Sequence, residues 1–171
     1  MSKVIPWDAI PDSIGGVLPT NTYKFEIETL EEVQSSKERY MIKGTFRVLE
    51  PKSEAGMVLF DNYAIGNEKD PQADDPKSWE GIAAARFKDV INKAGVRRAT
   101  TVEETCVLAQ GALFIGDVVQ ETETQEGPYK GQIRNRLKKT YRVGEKDATS
   151  AMPNARPVGA AAVPFRPGRV Q

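Results

Sequence analysis

From residue 23 onward the side chains alternate apolar and charged, Tyr23-Lys24-Phe25-Glu26-Ile27-Glu28. A period of two marks a strand with one face buried and one in water. The polar run of residues 31–38 predicts a turn, and residues 39–50 a second strand. Tyr40, Ile42, Phe46 and Val48 fall on one face of that strand, and Lys43, Thr45 and Arg47 on the other. Residues 51–56, opened by Pro51 and closed by Gly56, make the next turn. Residues 57–65, MVLFDNYAI, read as a third strand. Phe25, Phe46, Phe60, Phe87 and Phe114 sit in apolar patterns and are expected in the core.

The period then changes. Ile82, Phe87, Val90, Ile91 and Ala94 recur at helical spacing, with Ser78 as a start signal and Gly95 as a stop. Thr101-Val102-Glu103-Glu104 has capping-box spacing and opens a shorter helix that ends by Gly111. Period two returns over residues 112–121, a fourth strand. After a turn at residues 125–128, residues 129–143 read as a long fifth strand. Three strands, one or two helices, then two strands is the order of an OB-fold, a five-stranded antiparallel barrel. The fold class expected is therefore mainly β, a five-stranded OB-like barrel with one or two helices between strands 3 and 4. An open α+β sheet with the helix on one face has a similar order. Alternating βαβ units are absent, which argues against a parallel sheet.

The two ends break the pattern. Residues 1–16 carry Pro6, Pro11, Gly15 and Gly16 and read as an extended arm. Residues 148–171 run through Ala, Pro, Gly, Arg and Val without period and read as a flexible tail. The domain between them is expected over residues 17–147.

Composition narrows the chemistry. The chain has 171 residues, no histidine and one cysteine, Cys106. Zinc sites draw on thiolate and imidazole ligands, so no metal is expected, and neither is any other cofactor. Ser-His-Asp and Cys-His nucleophile systems are excluded, as is a disulfide within the chain. No nucleotide-binding glycine motif occurs, so the chain is not expected to be an enzyme. Cys106 lies in an apolar helical pattern and reads as a small buried hydrophobe. The acidic stretch of residues 68–75 does not have EF-hand spacing and reads as a solvated loop. No apolar run reaches the ~20 residues of a membrane helix. The first residues lack a signal-peptide layout, so a reducing cytoplasm is expected.

Charge changes the picture locally. With 24 basic and 24 acidic residues the whole chain is neutral. Between residues 129 and 146, however, stand Lys130, Arg134, Arg136, Lys138, Lys139, Arg142 and Lys146 against the single acid Glu145. As a strand this segment places Ile133, Leu137, Tyr141 and Val143 on one side. Arg134, Arg136, Lys138 and Arg142 lie on the other, where successive side chains stand roughly 6.5–7 Å apart. Such a row suits the phosphates of an extended nucleic-acid strand. Lys37, Arg39, Lys43 and Arg47 extend the same character along the second strand, and Lys130 stands at the head of the fifth. Tyr40, Tyr63, Tyr129 and Trp79 are the candidate platforms for stacking bases. The competing reading is a solvated face whose cations pair with Glu26, Glu28, Glu121 and Glu123 on neighbouring strands.

An ordered set of motifs adds to this. Val17-Leu18-Pro19-Thr20-Asn21-Thr22-Tyr23 leads into the first strand, and Ser35-Ser36-Lys37 precedes the second. Gly56 leads the third strand, and Lys93-Ala94-Gly95 ends the helix. Leu113-Phe114-Ile115-Gly116-Asp117-Val118-Val119 precedes a strand bearing Tyr129 and Asn135. Over residues 17–145 this order resembles the OB-fold single-stranded DNA-binding proteins of tailed phages. The resemblance implies sequence-independent binding of single-stranded DNA in replication or recombination, in the cytoplasm of an infected bacterium. It also implies replication or recombination proteins as further partners, with a homo-oligomer open. One departure stands out. Such proteins often end in an acidic tail that recruits partners, whereas residues 148–171 here hold Arg156, Arg166 and Arg169 and no acid. The alternative function is a virion structural protein, a capsid decoration or tail component, for which extended arms would wrap neighbouring subunits. A nuclease is opposed by the lack of a carboxylate cluster beside a lysine at strand ends.

Overall fold

The computed structural model describes residues 17–34, 40–66 and 77–148, with the side chain of Trp79 excepted. The expected arm (residues 1–16), most of the tail, the acidic loop, Lys37, Arg39 and the Trp79 ring lie outside the described residues. Five strands and two helices follow in the order β1 (Asn21–Gln34), β2 (Tyr40–Glu50), β3 (Val58–Gly66), α1 (Trp79–Lys93), α2 (Val102–Ala109), β4 (Leu113–Thr122) and β5 (Ile133–Tyr141). All pairings are antiparallel, and the sheet order is β3-β2-β1-β4-β5. It is not a simple meander, because the two helices carry the chain from β3 across to the free side of β1.

β3 and β5 are the two edges, and no hydrogen-bonded ladder joins them. Helix α1 lies between them on the inner side of the sheet. Its Arg86 pairs with Asp61 of β3 at 2.7 Å and donates to the Leu137 carbonyl of β5 at 3.5 Å. One turn on, Asp89 accepts a hydrogen bond from the Thr140 hydroxyl of β5. Both caps form as the spacing predicts. The Ser78 hydroxyl accepts from the Gly81 amide at 3.0 Å, and the Thr101 hydroxyl from the Glu104 amide at 3.2 Å. Each satisfies one of the amide groups left open at a helix start.

The core lies between the sheet and the helices. Tyr23, Phe25 and Ile27 of β1, Ile42, Phe46 and Val48 of β2, and Phe114 and Val118 of β4 are all buried. Phe87, Val90 and Ile91 of α1 and Cys106 of α2 close it from the other side. Two glycines permit the closest approaches. A Cβ on Gly116 would lie 2.4 Å from Leu137 Cδ1, and one on Gly44 would lie 2.8 Å from Phe46 Cζ.

Three expectations are corrected here. β1 runs on to Gln34, through the stretch read as a turn, because Glu31 to Gln34 pair with Lys43 to Tyr40 of β2. β5 is shorter than expected, since residues 128–131 form a turn that closes the hairpin. Phe60, expected in the core, is 61% exposed. It stands opposite Thr45 on the outer side of the sheet, while its neighbours Leu59 and Asp61 face inward. The charge on Asp61 hid this alternation in the sequence. An aspartate on the core side is tolerated because Arg86 compensates it. Burial still pushes the Asp61 carboxyl above its ordinary range, against the lowering effect of that guanidinium.

Candidate nucleic-acid interface

A register shift on β5 decides which cations share a face. Val118 pairs with Leu137 and Asp117 with Lys139, so Lys138 is an extra residue in the ladder. Such a bulge reverses the alternation beyond it. Arg134 and Arg136 face outward before the bulge, and Lys139 and Tyr141 face outward after it. Leu137 and Thr140 are the buried residues on either side. The expected row of Arg134, Arg136, Lys138 and Arg142 is therefore broken. Arg142 falls on the helix side, where it lines a groove with Asn92 and Lys93 of α1. Ile133 and Val143, expected to point into the core, are exposed at the strand's two ends. Lys139 is the outward cation that strict alternation missed, and no feature of the sequence announces the bulge.

Two of the outward cations of β5 meet acids. Arg134 pairs with Glu123 at 3.2 Å and Arg136 with Glu121 at 3.1 Å. Arg47 of β2 pairs with Glu28, and Lys130 with Glu126. These are the pairings the solvated-face reading anticipated, through Glu28, Glu121 and Glu123. Each involves an arginine or lysine side chain about half exposed, where an ion pair contributes only about 0–1 kcal/mol. An incoming phosphate can take the place of such a carboxylate. Lys43, also outward, has no ion pair among the described residues and stands opposite Asn62 of β3.

Two aromatic side chains stand exposed beside these cations. On β3, Phe60 faces Thr45, whose strand neighbours at two residues' distance are Lys43 and Arg47. On the β4–β5 hairpin, Tyr129 is 56% exposed, and the Arg134 guanidinium lies 4.9 Å over its ring. The structure does not fuse the two clusters into one basic groove, because Glu26 and Glu28 of β1 lie between them across the sheet. Tyr40 is partly buried at the start of β2 and lines a groove with Glu31 and Glu103. Tyr63 is corrected outright. It is fully buried, opposite Ile42, with its ring 5.6 Å from Phe87 and under the Arg86 guanidinium. No base can reach it. The period-two pattern carried the signal for both errors, since Tyr63 shares a face with Leu59 and Phe60 does not.

Asn135 has a structural role that the sequence did not disclose. Its side chain accepts from the Leu18 amide and donates to the Leu18 carbonyl, both at 2.7 Å. The lead-in segment is thereby fastened across β5, with Leu18 buried beneath it.

Near the far end of β5, Asp117 accepts hydrogen bonds from Thr22, Tyr141 and Lys146. Burial raises its carboxyl, but these bonds outweigh burial and hold it below the ordinary carboxylate range. A depressed folded-state value contributes stability that is present above the unfolded value of about 3.9 and is lost as pH falls through the folded one. Asp117→Asn is therefore expected to lower the urea midpoint at about pH 6, with the gap to the parent chain closing by about pH 2.5. A gap that stays constant across that range would show that the carboxylate charge is not what holds Lys146 and Tyr141.

Among the described residues no three acidic or cysteine side chains converge to hold a metal ion, and no helix is long and apolar enough to cross a membrane. Burial, with Glu32 and Glu103 adding to it, pushes the Cys106 thiol up to about 11, which removes its nucleophilic character near neutral pH. Over the described residues the protein is mainly β, with one five-stranded antiparallel sheet and two helices. No protein-family model matches the chain, and a search of curated proteins returned no match.

Proposed function

We propose that this protein binds single-stranded DNA independently of sequence and supports phage DNA replication or recombination in the cytoplasm of the infected cell, without catalysis. The observation that carries this reading is the pair of exposed aromatic–cation clusters, Phe60 with Lys43 and Arg47, and Tyr129 with Arg134. Binding of single strands without base readout needs flat apolar rings for bases and cations for phosphates, and these clusters supply both. The strand order β3-β2-β1-β4-β5 is also that of an OB barrel opened between its third and fifth strands. On this reading bases stack on Phe60 and Tyr129, while phosphates displace carboxylates from Arg47, Arg134 and Arg136. The fold loses little by the exchange, since exposed ion pairs are weak.

The test is a salt titration with fluorescein-labelled oligothymidine and a duplex control. The logarithm of the affinity is expected to fall linearly with the logarithm of salt, by about 0.7 per phosphate neutralised. Changing Arg134 and Arg136 together to alanine is expected to flatten that slope by about one to two units and leave the melting temperature nearly unchanged. A folded double variant with unaltered affinity and slope would confine both arginines to their pairs with Glu121 and Glu123.

A second reading, a virion structural subunit, is favoured by one feature. Val107 and Leu108 stand exposed side by side on α2, apolar surface suited to a neighbouring subunit. The same titration separates the two, since such a subunit has no affinity for single strands to lose.

A further inference from the structure

The cations on and beside this sheet differ in whether an acid holds them. Arg47, Arg134 and Arg136, on the outer face, each carry an ion pair. Lys43 and Lys139 on that face carry none among the described residues, and neither do Arg97, Lys138 and Arg142, which lie at or beyond the β5 edge toward α1. There Lys93, Arg97 and Arg142 line an open groove of about 480 Å³ at the end of α1.

Two acids stand at that groove, Asp89 in its wall and Glu145 beside it. Asp89 accepts the Thr140 hydroxyl, and Glu145 accepts the Arg142 amide at 2.8 Å and lies 3.9 Å from Lys93. The carbonyl end of α1 also contributes negative potential, which Lys93 offsets. With Lys93, Arg97 and Arg142 against Asp89 and Glu145, the groove keeps a net positive charge, and neither Arg97 nor Arg142 has an ion pair among the described residues.

We propose that this groove is a second contact for the backbone of the bound strand, taking phosphates on Arg97 and Arg142 after the strand has crossed the edge of β5. The inference rests on the single-stranded DNA reading above and extends it to a path. Among the described residues no strand pairs with the outer edge of β5, which leaves that edge open to a bound strand. Lys138, the extra residue of the bulge, stands between Arg136 on the outer face and Arg142 on the helix side. From Arg136 to Arg142 the strand advances about 20 Å, a span of several nucleotides. The bulge thus has a consequence for binding. By turning Arg142 away from the outer row, it bends the line of cations round the edge of the sheet instead of ending it.

Oligothymidines of two lengths test the path, with the full chain throughout. A short one, of about eight nucleotides, is filled by the outer face alone, and one of about twenty-five reaches the groove as well. Arg97→Gln with Arg142→Gln keeps polar side chains and removes both charges. It is expected to weaken binding of the long oligonucleotide about tenfold at low salt and to lower its salt slope by about 1.4. Affinity for the short one and the melting temperature are expected to stay as in the parent chain. Charge reversal, with glutamate at both positions, should deepen the loss for the long one only. An equal loss for both lengths, or none for either, would overturn the second contact while leaving the outer-face site in place. Failure of the parent chain to bind either length would overturn both readings.

Discussion

Phe25→Ala is expected to remove about 3–5 kcal/mol of folding stability, the range for a large aromatic deleted from a packed core. Phe25 is fully buried at the centre of the inner face. Its ring stacks on Phe114 at 5.3 Å and lies 5.9 Å from Tyr23 and 6.3 Å from Phe46. It also sits against Gly116, where a Cβ would come within 3.2 Å of the ring. Neighbours held by three strands cannot all move in to refill the space, so most of the cavity persists. Against a typical domain stability of about 5–15 kcal/mol the loss is large. Urea unfolding followed by tryptophan-independent circular dichroism reads it directly. A loss below about 1 kcal/mol would mean that the inner face is far more plastic than its aromatic packing indicates.

Phe60→Ala is expected to do the opposite. Folding stability should change by less than about 0.5 kcal/mol, since the ring is mostly exposed. Affinity for oligothymidine should fall roughly 5- to 150-fold, the equivalent of about 1–3 kcal/mol for one stacked base. The salt slope should not move, because no charge is removed. That pattern separates Phe60 from Arg134 and Arg136, whose loss flattens the slope. Phe60→Trp restores a π-face and should recover most of the affinity. If Phe60→Ala binds as the parent chain does at every salt concentration, the β2–β3 surface does not hold bases, and the proposed site reduces to the β4–β5 hairpin.

Most of the elements were legible along the chain because each follows from neighbours a few residues apart. Alternation over residues 23–28 requires one buried face, and Ser78 and Thr101 can cap only the helices that begin beside them. The absence of histidine and the lone Cys106 constrained the chemistry before any fold was considered. The candidate site was less legible, because it depends on phase. A single extra residue at Lys138 turned Arg142 from the outer face to the helix side and brought Lys139 outward, and a bulge leaves no composition signal. The sides of β3 depended on a contact across 25 residues, the pairing of Arg86 with Asp61. Without that partner a buried aspartate is costly, so the sequence favoured the wrong face for Phe60 and Tyr63. The pairing of Arg134 and Arg136 with Glu123 and Glu121 was foreseeable as a possibility, but only the β4–β5 register selected it. Local periodicity and composition determine which elements form and which chemistries are excluded. Register, bulges and long-range charge compensation decide which side chains meet, because each is set by strands that are distant in sequence and adjacent only once folded.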